Sequence, residues 1–199
     1  MIDVHVLHLD DEVLRLNDFS LPYVNVYHMP GIVGNVLQAR INAFRVGTAP
    51  YVSYMDPDDK VVPEAFGECL NTLEANPKLA GVYTNSEVIK ENGRSTLLYQ
   101  KHNWSKEWHL SRSVPVHPLL VMRRSILMPI LNQIEKITWT HKFRSLSDQI
   151  ICAHVASVSD FQYINTVGYI WYKFESGNHK KTTGEDNLQL SALKRKLLA

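Results

Sequence analysis

A chain of 199 residues is long enough for one domain with a real hydrophobic core, and a formal net charge of +1 gives no global pull toward a polyanion. With 45% apolar and 21% charged residues, and only 9 Gly and 9 Pro, the composition excludes a disordered or fibrous chain. Cys69 and Cys152 make neither a disulfide framework nor metal-ligand spacing; both sit in apolar stretches where a small buried thiol fits, which suits a reducing cytoplasm.

The start, Met1-Ile2-Asp3-Val4-His5, lacks the basic opening and apolar core of a signal peptide. No apolar run approaches the ~20 residues of a membrane span, and the chain reads as cytoplasmic. Basic residues cluster at Arg123-Arg124, Lys180-Lys181 and Lys194 to Lys196, runs that ordinarily mark solvated surface.

In chain order, Val4 to Leu9 has the apolar, β-branched character of a buried strand, and Tyr23 to Tyr27 alternates as a second. Val33, Val36, Leu37 and Phe44 keep helical spacing, with Gly47 as a stop. Tyr51 to Met55 is a third strand, running directly into Asp56-Pro57-Asp58-Asp59. A helix with Pro63 in its first turn follows, carrying Phe66, Cys69, Leu70 and Leu73 on one stripe, and Asn76-Pro77 ends it. Ala80 to Thr84 is a strand, whereas Asn85 to Pro115 is polar, aromatic and unassigned. Beyond it come a strand at Leu119 to Met122 and a helical stripe of Leu127, Ile130, Leu131 and Ile134. Ser147 to Ser157 reads as a helix capped by Ser147. Phe161 to Tyr172 is strand-rich, and Asn187 to Leu198 is a terminal helix. Alternating strands and helices predict a single α/β domain, Rossmann-like, with a central mostly parallel sheet flanked by helices. In such a sheet the ligand crevice lies beyond the carboxyl ends of the strands, where Asp56 to Asp59 would fall.

Three carboxylates within four residues repel one another, and a hard divalent ion relieves that repulsion. Magnesium or manganese takes one or two carboxylates with phosphate oxygens and water, and Pro57 stiffens the turn between the acids. An exposed acidic turn that favours the next helix through its dipole accounts for the tetrapeptide equally well. The spaced ligands, central Gly and closing Glu of an EF-hand are missing.

From Gly31 onward the chain resembles the family-2 glycosyltransferases of the GT-A fold. The motifs are Gln38-Ala39-Arg40-Ile41-Asn42, then Tyr51 to Met55 ending in Asp56-Pro57-Asp58-Asp59, with Pro63 after it. Gly81 to Asn85, Glu91-Asn92-Gly93, Val116-His117-Pro118, Met122 to Ser125, Leu146 to Gln149 and Tyr172 to Phe174 continue the match. The resemblance implies one domain over 1–199. Residues 1–115 would bind a nucleotide-sugar, expected to be a UDP-sugar, and 116–199 would carry acceptor binding and catalysis. It implies Asp56 against the ribose, Asp58 on manganese or magnesium, and Asp148 as the base that deprotonates the acceptor. Arg40, His8 and Asp10 would lie on the donor side, and His179 would reach the metal. Departures are Ile41, which splits the usual Ala-Arg-Asn triplet, and Ser147, which stands where a Glu often precedes the base. The interval from Leu9 to Tyr23 is also shorter than usual.

Trp104, Trp108 and His117 are candidates to face the acceptor, because aromatic faces stack on sugars and on flipped bases. Buried aromatic anchors give the same composition. The acceptor is expected to be a glycan or a hydroxymethylated DNA base. The resemblance favours inversion at the sugar. Two other classes are weighed against this reading. A nucleotidyltransferase would show a Gly-rich, basic phosphate loop near its start, and none is present. The other is a non-catalytic nucleotide- or glycan-binding module on a reduced GT-A fold.

Overall fold

In the computed structural model, residues 2–8, 24–32, 34–98, 104–111, 119–140, 146–174 and 183–199 are described, with backbone alone at 8, 98, 108, 111 and 137–140. Strands β1 (Ile2–His8) and β2 (Val24–Pro30) pair in parallel as a small two-stranded sheet. Among the described residues the main sheet has six strands: β3 (Tyr51–Ser53), β4 (Lys60–Val61), β5 (Gly81–Lys90), β6 (Ser95–Leu98), β7 (Leu120–Arg123) and β8 (Phe161–Lys173). Their order is β3-β7-β5-β8-β4, with β6 on β5.

The α/β class and the flanking helices are as expected, but the main sheet is mixed rather than mostly parallel. β5 and β8 are parallel, whereas β3–β7, β7–β5, β5–β6 and β4–β8 are antiparallel. Alternation of strands with helices does not fix strand direction, because β4 and β6 return over short turns with no helical crossover. The register nonetheless sends β3, β5 and β8 the same way, so their carboxyl ends gather at one edge.

Six helices complete the described residues: α1 (Val36–Val46), α2 (Pro63–Ala75), α3 (Lys106–Ser111), α4 (Arg124–Thr140), α5 (Ser147–Val158) and α6 (Gly184–Leu198). Successive strand residues point to opposite faces, and the core divides accordingly. Tyr83, Leu120 and Met122 join the cluster built with α1, α4 and α5, while Val82 and Val121 face Ala65, Cys69 and Leu73 of α2. Both thiols are buried and free, and burial pushes each up to about 12. No helix among the described residues is long and apolar enough to cross a membrane.

Several local signals act where sequence spacing points elsewhere. Asn35 caps α1, its side chain accepting from Gln38 N at 3.0 Å. Thr183 and Asp186 form a capping box that starts α6 three residues before Asn187. Within Asn85 to Pro115, β5 runs on to Lys90 and turns through Gly93, at φ +74°, into β6. Ser147 is not the cap of α5: Leu146 holds that position with no side-chain bond.

The Arg123-Arg124 pair is not solvated surface. Arg123 Nη2 donates to Leu73 O at 2.7 Å, joining the end of α2 to the sheet. Arg124 Nε donates to Ala49 O at 2.6 Å, and its Nη1 to Phe44 O, fastening the end of α1 to the entry of β3. Lys194 of the C-terminal run is also buried, at 2% exposure, and donates to His109 O at 3.4 Å.

His109 is 5% exposed, packed against Trp104, and held low, to about 4, first by burial and then by Lys194. A histidine that stays neutral when folded but protonates near 6.5 when unfolded makes the folded state lose ground as pH falls. Its contribution is complete above about pH 6.5 and declines toward pH 4, by roughly 3 kcal/mol. Urea unfolding across that range should show this decline in the wild type, and His109→Leu should remove it.

Candidate functional site

The acidic tetrapeptide follows β3 at the edge where β3, β5 and β8 end. Asp59 N donates to Asp56 O at 3.1 Å, closing a tight turn around Pro57. The three carboxylates then take different paths. Asp59 is buried at 8% exposure; its Oδ2 accepts from the Tyr169 hydroxyl at 2.7 Å and its Oδ1 from Tyr172 N at 3.0 Å. The same hydroxyl accepts from Asp56 N at 3.2 Å, so Tyr169 locks the turn to β8 at two points. Burial raises the Asp59 carboxyl, and the bonds from Tyr169 and Tyr172 oppose that rise. Asp59 is therefore a brace rather than a free metal-side carboxylate, and its partner Tyr169 is a residue that sequence spacing does not single out.

Asp56 turns the other way, toward Arg40 of α1, whose Nη2 pairs with its carboxylate. Arg40 Nη1 donates to Ser147 Oγ at 2.7 Å, at the first turn of α5. The guanidinium also lies 4.4 Å from the centroid of the Tyr54 ring. Its side chain is only 10% exposed. Burial opposes the charge, but Asp56, Tyr54 and Asp148 outweigh it and leave the Arg40 pKa above its ordinary value. Ser147 thus serves as an acceptor for Arg40 where a helix cap was expected.

Asp148 is buried in the first turn of α5, where the helix dipole favours an anion. It faces Arg40, the Tyr54 hydroxyl and Cys152, one turn further along its own helix. Burial, reinforced by Cys152 and Asp148, holds the Tyr54 hydroxyl well above the usual phenol range. Asp58 is exposed, and Asp56 keeps 46% of its side chain accessible while paired with Arg40, so Asp59 is the one carboxylate of the three that is buried.

The structure thus brings Arg40, Asp56 and Asp148 together, with Asp58 beside them. It does not bring Trp104 to them. Trp104 Nε1 donates to Asp160 at 3.0 Å, and its ring packs on Phe161 at 5.0 Å, His109 at 4.9 Å and Tyr83 at 6.4 Å. Phe161 begins β8, whereas the acidic turn is fastened to Tyr169, eight residues and about 26 Å of strand further on, and to Tyr172 beyond it. Trp104 instead lines an open cavity of about 650 Å³ with Lys106, Asp160, Phe161 and Tyr163. Of His8 only the strand backbone is described, and of Trp108 only the helix backbone; Asp10, His117 and His179 lie outside the described residues. Among the described residues no three His, Cys, Asp or Glu side chains converge as a ready-made metal cluster.

No protein-family model matches the chain. An uncharacterised protein, y4gI, of Sinorhizobium fredii (strain NBRC 101917 / NGR234) is 26% identical over 74 residues, 37% of this chain and 8% of that protein. Three structures of TarS 1–349, a glycosyltransferase of S. aureus, are similar. The complex with UDP-GlcNAc matches at TM-score 0.62 and 15% identity, over 86% of this chain and 50% of that chain. A second TarS 1–349 structure matches at TM-score 0.63 and 15% identity, over 96% and 55%. The complex with UDP matches at 0.58 and 16%, over 86% and 48%. The likeness gives this chain a GT-A-type fold. The chain spans about half the length of these TarS structures.

Tyr169→Phe removes the hydroxyl that serves Asp56 N and Asp59 together. The expected loss is about 1–3 kcal/mol, because the buried Asp59 carboxylate loses a donor. Urea denaturation of the variant against the wild type measures it.

Proposed function

We propose that this chain transfers a sugar from a UDP-sugar to an acceptor hydroxyl, with a divalent metal and with inversion at the anomeric carbon. The observation that carries the reading is Arg40, which bonds both Asp56 at the end of β3 and Ser147 beside Asp148 at the start of α5. On a GT-A-type fold, one buried cation so links the donor-side acid to the carboxylate proposed as base. The donor class is proposed from TarS, which is seen with UDP-GlcNAc and with UDP.

The tetrapeptide suits a hard divalent ion in a specific way. Asp56 and Asp59 are committed to Arg40, Tyr169 and Tyr172, while Asp58 is exposed. Manganese and magnesium bind through one or two carboxylates completed by phosphate oxygens and water, so a single outward Asp58 is sufficient protein ligation. His179 is proposed as a second ligand. When bound, such an ion supplies neutralisation of the negative charge that builds on the departing diphosphate.

The residues of the chain do the rest. Asp56, oriented by Arg40, would accept a hydrogen bond from the ribose; His8 and Asp10 are proposed on the same nucleotide. The Asp148 carboxylate would take the proton from the acceptor hydroxyl as its oxygen forms the new bond to the anomeric carbon. The bond from that carbon to the diphosphate breaks, and its electron pair leaves with the nucleotide. Burial of Asp148 beside Arg40 keeps water from competing for that proton. Trp108 and His117 are proposed on the acceptor, as a glycan or a hydroxymethylated DNA base.

In a thermal-shift screen of UDP-sugars with and without manganese, the wild type should be stabilised by a donor in the presence of metal. Asp58→Ala should lose the metal-dependent part of that shift; a full shift in this variant would remove Asp58 from the site. Asp148→Ala should keep the donor shift and lose transfer by about 10²–10⁴-fold. Undiminished transfer would remove Asp148 from the reaction.

A further inference from the structure

From Ser53 to Lys60 the chain passes from β3 to β4 in seven steps, and these two strands stand at opposite ends of the order β3-β7-β5-β8-β4. In a flat sheet, four strand spacings amount to about 19 Å. Seven residues reach at most about 25 Å when fully extended, and the turn closed by Asp59 N on Asp56 O shortens that reach. The acidic segment therefore lies across the sheet with little slack, and residues 54–59 belong to no strand themselves. Its pose has to come from what it meets on the way.

It meets β8. The Tyr169 hydroxyl accepts from Asp56 N at 3.2 Å and donates to Asp59 Oδ2 at 2.7 Å, so one oxygen holds both ends of the turn. Tyr172 N donates to Asp59 Oδ1 at 3.0 Å, and Val61 pairs with Tyr169 in the β4–β8 ladder just beyond. With the bond from Asp59 N to Asp56 O at 3.1 Å, the contacts close a ring through Asp56, Tyr169 and Asp59. Tyr169 is 5% exposed and Asp59 8%, so water competes little for these bonds. The exposed Asp58 is the acid that the ring spans, and the main chain is pinned on either side of it.

We propose that Tyr169 is a positioning residue for the donor site, its hydroxyl holding the acidic turn in the pose where Asp58 meets a divalent cation and Asp56 the ribose. The proposal rests on the reading of Asp58 and Asp56 as donor-side residues, and it names what sets their pose. A lone carboxylate binds a cation more tightly when its main chain is already fixed, because binding then orders less of the chain. None of the bonds of the ring reaches α5, a link that Arg40 makes instead. Tyr169 therefore acts on donor binding and not on the proton transfer assigned to Asp148.

Tyr169→Phe deletes the hydroxyl and keeps the ring in its cluster with Cys69 and Leu73. Calorimetric titration of UDP into the full chain at saturating manganese should show this variant binding about 3–10-fold more weakly than the wild type, the net worth of one hydrogen bond. With a UDP-sugar and an acceptor, donor KM should rise by the same factor while kcat is unchanged, a split that lost stability alone does not produce. Tyr163→Phe is the control: it removes another β8 hydroxyl, bonded at 2.9 Å to Asn85 and to Asn165, and should leave UDP binding at the wild-type value. Asp59→Asn, whose amide oxygen can still accept from Tyr172 N, replaces Tyr169→Phe if that variant does not fold, and should weaken binding in the same direction. Wild-type affinity in Tyr169→Phe, or equal weakening in Tyr163→Phe, overturns the positioning role and leaves the donor reading standing. Absence of UDP binding by the wild type with manganese would instead fell the donor reading and this role with it.

Discussion

A guanidinium that is nine-tenths buried has to be met by anions and acceptors, or the fold expels it, and the site is organised around meeting that demand. Arg40 sits on α1, yet its partners come from the turn after β3 and from the start of α5. Removing an acceptor would leave the buried guanidinium short of a partner, a cost that solvent at the half-exposed Asp56 reduces below that of a fully buried pair, and the three segments are held together by this shared cation. Preorganisation of this kind is what a transfer reaction needs, because misplacement by about an ångström can cost a hundredfold in rate.

The acidic turn is consequently held from two directions. Asp56 is drawn toward Arg40 and Asp59 toward Tyr169 and Tyr172 on β8, so both acidic neighbours of Asp58 have partners within the protein. Pro57 fits this division, since its fixed φ separates the first acid from the other two. The result is an exposed Asp58 beside a half-exposed Asp56 on a braced turn, an arrangement suited to an ion that takes most of its ligands from phosphate and water. Strand direction supports the same geometry. Although most neighbours in the main sheet are antiparallel, β3, β5 and β8 run together, and their ends deliver the acidic turn and its brace to one edge.

How far this was legible in the sequence depends on what kind of information each feature carries. Periodicity located most strands and helices, because apolar spacing reports which face meets the core. The stripe of Cys69 and Leu73, buried at 0% exposure, shows that logic at work. Short polar signals were harder: Asn35, Thr183 with Asp186, and Asn92-Gly93 all set element ends through local hydrogen bonds or a left-handed glycine. Capping and turn chemistry contain that information, but the apolar runs beside them dominate the reading. Ser147 illustrates a different limit. Its position before an acidic first turn matches a cap, and only the arrival of Arg40 from 107 residues away gives its hydroxyl another use.

Charge and aromaticity were least legible, because their meaning is set by where the fold puts them. Arg123, Arg124 and Lys194 belong to basic runs that resemble solvated surface, yet all three donate to main-chain carbonyls, and Lys194 is sealed in the core. No local pattern separates a lysine that snorkels to water from one that is buried; the distinction appears only once α6 lies against α3 and α5. Trp104 makes the complementary case. In a polar, aromatic segment it suits a sugar platform, but sheet register carries it to the start of β8, while the acidic turn is fastened near that strand's end. Its edge-on contacts with Phe161 and Tyr83 knit α3 to the sheet, and α3 in turn supplies the carbonyl that receives Lys194. The tryptophan is therefore a packing residue where the described contacts place it, a role that aromatic composition alone could not distinguish from direct contact with an acceptor.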